Sequence, residues 1–340
     1  MIQVSTAGEL KALLESDSAE AELRREADRV RKESVGDEVH LRGLIEISNI
    51  CRCDCLYCGL RAGNTALRRY RLGAASILSA AQLAKRLGYG TVVLQSGDDP
   101  GADFAMLAGV VKTIKGELGL AVTLSLGELP SAELARLREA GADRYLLKHE
   151  TANPALYARL KPGGRLDDRV SKLRELRRLG YQIGSGCMIG LPGQTTDDLV
   201  ADLQLMRSLD VDMAGMGPFI PCPGTPLADS PGTWPAAARV TFTYRMMALF
   251  RLCCPLAMMP VTTALATLDR DARRKGLQCG ANVIMPNVGD MAHRKDYMIY
   301  PGKAGVDQTP EALHRMLMDL MAAIGRRPGQ GPGHSPRGRA

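Results

Sequence analysis

From about residue 40 onward the hydrophobic positions fall into two alternating kinds of segment. Short aliphatic runs read as strands: Leu41–Ile47, Thr91–Leu94, Ala121–Leu126, Arg144–Leu147, Tyr181–Ile189, Asp212–Ile220, Ala257–Thr263 and Asn282–Met285. Runs this short and this apolar suit strands covered on both faces, as parallel sheets require. Between them lie segments with apolar residues at helical spacing: Ile77–Leu87, Phe104–Leu118, Glu133–Ala140, Asp168–Leu179, Thr195–Leu209, Pro235–Cys253 and Arg270–Gln278. Gly141 and Gly180 punctuate two helix ends, and Thr195 to Asp198 supply hydroxyls and acids suited to a helix start. Residues 6–34 predict a helical segment ahead of the first strand, and Ala304–Ala323 a last helix. Eight strand–helix units with no linker between them predict an α/β fold, a parallel (β/α)8 TIM barrel. The expected division is a helical segment over 1–36, the barrel over 37–324 and a tail over 325–340. That tail, GRRPGQGPGHSPRGRA, is dense in Gly and Pro and reads as disordered.

Composition narrows the class. With 45% hydrophobic and 24% charged residues, the 340-residue chain has the make-up of a soluble globular protein. It has no apolar run long enough for a membrane span, and its first 28 residues lack the apolar core of a signal peptide. The net charge is +7, but Arg326, Arg327, Arg337 and Arg339 in the tail supply four of those charges. The body is near balance, so no nucleic-acid surface is called for. Of nine cysteines, four crowd into residues 51–58. That is not a disulfide framework, and thiolates reserved for metal fit a reducing cytoplasm.

Those crowded cysteines carry the candidate chemistry. Cys51, Cys55 and Cys58 make C-x3-C-x2-C directly after the first strand, with Tyr57 before the last cysteine. Three thiolates from one loop can hold three irons of a [4Fe-4S] cluster, leaving the fourth iron open to a small molecule. With the aromatic in place this is the radical-SAM signature, in which the open iron chelates S-adenosylmethionine (SAM). One electron from the cluster then cleaves the sulfonium to methionine and a 5'-deoxyadenosyl radical. Four cysteines so close also suit zinc, although zinc favours two separated pairs or added histidines, and no second CxxC occurs. Cys53 reads as a loop thiol.

In a barrel the reacting groups lie at the C-terminal ends of the strands. The second strand ends in Ser96-Gly97-Asp98, a turn able to offer carbonyls and a carboxylate to the SAM amino group. Glu150 follows the fourth strand and suits ribose hydroxyls or the same ammonium. Arg169 opens the next helix, and its guanidinium suits the SAM carboxylate. Thr123 and Ser125 share one face of the third strand, and Thr262 and Thr263 end the seventh. These four hydroxyls mark a polar substrate, or equally bonds to neighbouring strands.

The blocks RGLIEISN before the cysteine loop, TVVLQSGDDP, SLGE, GADRYLLKHET, GLPGQT, GPFIPCPGTPL, TTAL and ANVIMPN together resemble HydE, the radical-SAM maturase family of [FeFe]-hydrogenase. The likeness runs over roughly residues 38 to 303. It implies a closed cavity inside the barrel, with Cys51, Cys55 and Cys58 on the cluster, Tyr57, Ser96, Gly97, Asp98, Glu150 and Arg169 at SAM, and Thr123, Ser125, Thr262 and Thr263 at substrate. It implies a small iron complex or amino-acid-derived substrate and a reductant protein such as ferredoxin or flavodoxin, with other maturases as possible partners. The family is similar to biotin synthase and methylornithine synthase, so an amino-acid mutase stays open as an alternative, as does a zinc-stabilised nucleic-acid module. Asp98 stands where Glu is usual and Lys148 where Arg is frequent. No cysteine follows Cys279, so an auxiliary cluster in the C-terminal part is not expected.

Overall fold

The computed structural model describes residue 2 and residues 4–337 of the 340. Ten strands follow one another along the chain: β1 Glu38–Ser48, β2 Thr91–Ser96, β3 Ala121–Ser125, β4 Arg144–Leu146, β5 Gln182–Ser185, β6 Met188–Ile189, β7 Met213–Ala214, β8 Gly217–Pro218, β9 Val283–Ile284 and β10 Arg327–Pro328. Two helices precede β1, α1 (Ala7–Glu15) and α2 (Glu20–Val35). Around the sheet come α3 (Ala74–Arg86), α4 (Phe104–Gly116), α5 (Ser131–Glu139), α6 (Pro154–Leu160), α7 (Leu166–Arg178), α8 (Thr196–Ser208) and α9 (Ala236–Cys253). The chain then adds α10 (Thr263–Leu268), α11 (Ala272–Leu277), α12 (Met291–Arg294) and α13 (Pro310–Ala323).

All pairings between named strands are parallel, in the order β1-β2-β3-β4-β5-β7, with β9 on the other side of β1. Bridges Met213–Met258 and Pro260–Val283 carry the circle from β7 to β9, so the sheet closes on itself. The expected barrel is therefore found. Register divides each strand into two faces. Ile45, Val92, Leu94, Val122, Leu124 and Ile183 are fully buried beneath the helices. Arg42, Thr91 and Arg144 share the other face and meet inside the ring, where Arg144 Nη2 donates to Thr91 Oγ1 at 2.6 Å. Met213, Met258 and Val283 form a small apolar cluster, with Met285 against it. Met is flexible enough to fill so irregular a space.

Four expectations need correction. The helical stretch 6–34 is two helices, broken at Ser16–Ala19, where a serine hydroxyl caps the incoming turn instead of continuing the first helix. The single runs read over 181–189 and 212–220 are each two short strands, β5 with β6 and β7 with β8. The seventh strand is reduced to bridges at Met258 and Pro260, since two prolines in Pro255–Pro260 remove donors from any ladder. The tail is not disordered through residue 337. Arg327–Pro328 pairs with Glu38–Val39, and the next residues cross the N-terminal end of the barrel. Pro332 O accepts from Thr91 Oγ1 at 2.8 Å and Gly333 O from Arg42 Nη2 at 2.9 Å. His334 Nδ1 meets Arg144 Nη1 at 2.5 Å, and Ser335 N donates to Gln182 Oε1 at 3.2 Å. Residues 338–340 lie outside the described residues.

Candidate active site

The cysteine loop leaves β1 at the barrel's C-terminal mouth. The end of β2 is built against it. Gly97 N donates to Ser48 O at 3.3 Å, and a Cβ on Gly97 would lie 2.3 Å from Ile50 O and 2.6 Å from Cys51 Cβ. Only glycine permits so close an approach. Asp98 N donates to Cys51 Sγ at 3.4 Å, and Arg52 N donates to Asp98 O at 2.8 Å. Cys55 is buried and Cys51 and Cys58 are half-buried. The donors suit iron: soft sulfurs, one already accepting a backbone N–H, in a loop cradled by a glycine.

Neighbours separate the thiols electrically. Cys51 is pushed below the usual thiol range, first by the Cys53 thiol that donates to it and then by Asp98 N–H. Burial raises Cys58 to about 12. Cys53 is no ligand by spacing, and its thiol is raised to about 11, chiefly by its bond to Cys51. It also reaches Asp98 Oδ2 at 3.7 Å. Asp98 thereby clamps the loop: its carboxylate also takes Arg52 Nε at 3.1 Å and Glu128 N at 3.3 Å. Ser96 Oγ is turned back onto Gly97 O at 2.6 Å.

On the far side of the mouth stands Glu150, whose φ of 68° puts a non-glycine residue in the left-handed region. Bonds on both flanks hold it there. Glu150 N donates to Gly186 O at 3.0 Å and Met188 N to Glu150 O at 2.9 Å. Asp202 of α8, fully buried, takes His149 Nε2 at 3.1 Å and Ala152 N at 2.5 Å. Burial works to raise the Glu150 carboxyl, but Lys148, Lys161 and Arg169 outweigh it and hold it below the usual range. Lys148 Nζ lies 3.3 Å from Glu150 Oε2. Arg169, nearly buried, sets its Nε 2.6 Å from Glu128 Oε1 and 3.2 Å from Tyr157 OH. Tyr57 packs against Leu156, Leu160, Leu191 and Phe219.

The structure thus gathers Cys51, Cys55, Cys58, Tyr57, Gly97, Asp98, Glu150 and Arg169 around one mouth. The four hydroxyls scatter. Thr123 lies deeper in the barrel and accepts from Arg144 Nε at 2.9 Å. Ser125 is half-buried at the end of β3. Thr262 does not end a strand: it caps α10, accepting from Leu265 N and donating to Met216 O at 3.0 Å. Thr263 begins that helix and lines a pocket with Thr262, Met285, Asn287 and Lys303. Two groups at the mouth escaped sequence reasoning. Lys161 follows α6 and acts electrostatically on both Cys55 and Glu150. Glu46, inside β1, pairs with Lys303 and takes Asn287 Nδ2 at 2.9 Å. No local motif signals either, because both partners arrive from distant parts of the chain.

The profile of the Radical SAM superfamily matches residues 45–206, spanning the cysteine loop, the Glu150 turn and Arg169. The crystal structure of methylornithine synthase (PylB) superposes with a TM-score of 0.80 at 26% identity, covering 96% of this chain and 94% of that one. A barrel with three cysteines on its first loop, so matched, is a radical SAM enzyme, a class whose members use a [4Fe-4S] cluster and SAM. The [FeFe] hydrogenase maturase subunit HydE of Thermotoga maritima is 47% identical over 304 residues, which make up 89% of this chain and 86% of that protein. The 3-methylornithine synthase of Methanosarcina acetivorans is 30% identical over 280 residues, 81% and 77% of the two chains. The chain belongs to the HydE family of radical SAM enzymes. Among the described residues no helix is long and apolar enough to cross a membrane.

Proposed function

We propose that the chain cleaves SAM reductively in the assembly of the [FeFe]-hydrogenase diiron site, with Cys51, Cys55 and Cys58 holding the [4Fe-4S] cluster. The observation that carries this reading is the junction of Gly97–Asp98 with Cys51, which puts the three-cysteine loop against the strand ends that would receive SAM. When bound, the reduced cluster would supply the one electron that cleaves SAM to methionine and a 5'-deoxyadenosyl radical. The chain's own residues bind, orient and enclose. Asp98 fixes the loop, and the carbonyls of Ser96 and Gly97 would serve as acceptors for the SAM amino group. Glu150, kept ionised by three cations, takes the same amino group or the ribose hydroxyls. Arg169, now paired with Glu128, would hold the SAM carboxylate. Tyr57 walls the adenosyl side with the apolar residues beneath it. Ser125 and Thr263 are the better placed of the four hydroxyls to meet substrate, since Thr123 and Thr262 are already engaged. The expected substrate is a small iron complex or an amino-acid derivative, and the expected reductant a ferredoxin or flavodoxin.

Anaerobic reconstitution tests the reading. About four irons per chain and release of 5'-deoxyadenosine with SAM and dithionite are expected. A Cys55→Ala variant that kept both would refute it. Deleting the gene should abolish hydrogenase activity, whereas a methylornithine-type mutase would leave it intact.

A further inference from the structure

We propose that the face formed by residues 49–72 and 290–299 is the docking surface for an acidic one-electron carrier protein. The proposal rests on the radical SAM reading, because SAM cleavage consumes an electron that the chain itself cannot generate. The carrier loses one electron, and the cluster takes it to its reduced level.

The two segments make one surface. Asn49 Nδ2 donates to Arg68 O and to Asp296 O, each at 2.8 Å. Gly59 N, beside Cys58, donates to Ile299 O at 3.2 Å, and the Tyr70 and His293 rings meet at a tilt of 41°, centroids 4.7 Å apart. A molecule resting here lies directly outside the cluster loop.

Its charge is net positive, although residues 290–299 set Asp290 and Asp296 against Arg294 and Lys295. Residues 49–72 hold five arginines and a single carboxylate, Asp54. The acids that pair with the outermost arginines lie beneath them. Arg52, Arg68 and Arg71 side chains are 56%, 70% and 47% exposed, whereas Asp98, Asp296 and Asp99 are 9%, 18% and 2% exposed. An approaching partner therefore meets guanidinium groups first. Lys295, 76% exposed, lies at the edge of the patch, paired with Asp307, which is 74% exposed.

The same face holds apolar surface. Met291 and Met298 are the two exposed large hydrophobic residues among the described residues, and both stand on this segment. Flexible methionines inside a rim of cations suit a small, transient interface, steered by charge and finished by contact. Complementarity selects a partner with an acidic face around its redox group.

The test uses reconstituted protein and photoreduced flavodoxin in a stopped-flow instrument, reading cluster reduction. The rate for wild type should fall steeply between roughly 50 and 200 mM salt, as screening shortens the reach of the charges. Arg68→Glu combined with Lys295→Glu should slow reduction by flavodoxin about tenfold or more and flatten that salt dependence. Met291→Ser with Met298→Ser should slow it as well. Dithionite-driven 5'-deoxyadenosine release should stay at the wild-type level in both variants. Reduction of both by flavodoxin at the wild-type rate would overturn the docking surface. So would a charge variant that changed only the monomer–dimer balance in sedimentation, since the face would then be a self-contact. Wild type that fails with dithionite too would instead sink the function on which the proposal stands.

Discussion

Gly97→Ala is the sharpest probe of the cluster cradle. Its φ is not in the left-handed region, so alanine meets no backbone penalty there, and any effect must come from the added methyl. That methyl would sit 2.3 Å from Ile50 O and 2.6 Å from Cys51 Cβ, against an ordinary contact of at least 3.4 Å. Relief requires a shift of about 1 Å. The sheet cannot supply it, because β2 is paired on both sides through Gln95. The loop can, since Ile50 and Cys51 belong to no strand. Overpacking of this kind costs about 1–3 kcal/mol. A chain this long should then lose only a few degrees of melting temperature. Cluster binding should suffer far more, since metal–ligand distances must be met to within about 0.2 Å. We expect iron and sulfide per chain after reconstitution to fall well below wild type, while circular dichroism stays native. Gly73→Ala is the control, because a Cβ there meets nothing within 4 Å. A Gly97→Ala protein that takes up iron like wild type and binds SAM as tightly would refute the cradle.

Three further outcomes follow from the same geometry. Asp202→Ala strands a buried donor, His149 Nε2, and a part-buried one, Ala152 N, and should cost about 2–4 kcal/mol in chemical denaturation. SAM affinity should weaken with it through loss of the Glu150 turn, and Asp202→Asn should recover much of both. Ending the chain at Pro328 removes the tail's contacts with Arg42, Thr91 and Arg144, about 1 kcal/mol each once water enters. A lower melting temperature with faster amide exchange in β1 and β2 is expected, and an unchanged one would show the tail to be idle. His334 is pushed down to about 4, first by burial and then by the Arg144 charge. The unfolded chain takes up that proton near 6.5 and the folded chain resists it, so the tail's protection is complete above about 6.5 and is lost as pH falls toward 4. Limited proteolysis of the apoprotein should show this loss, and His334→Gln should remove the pH dependence.

The sequence was readable wherever one short stretch decides the outcome. β1 to β4 match their apolar runs to within a few residues, because a strand buried on both faces leaves a signal in its own composition. The cysteine loop was readable for the same reason: one segment supplies all three sulfurs. What escaped depends on partners far apart in the chain. Lys161 and Glu46 become notable only when the barrel brings Cys55, Glu150 and Lys303 beside them. The tail misled because its Gly and Pro forbid a core of its own, and composition is blind to a core someone else provides. Arg42 and Arg144 point into the barrel among the described residues without an ion-pair partner within contact distance, and the tail's carbonyls and His334 answer them. Buried guanidinium groups need acceptors. A backbone without side-chain bulk can enter a narrow ring and present its carbonyls where larger residues would collide. Gly333 illustrates this: a Cβ there would lie 2.5 Å from the His40 ring. The composition that reads as disorder is therefore the composition that a plug for this barrel demands.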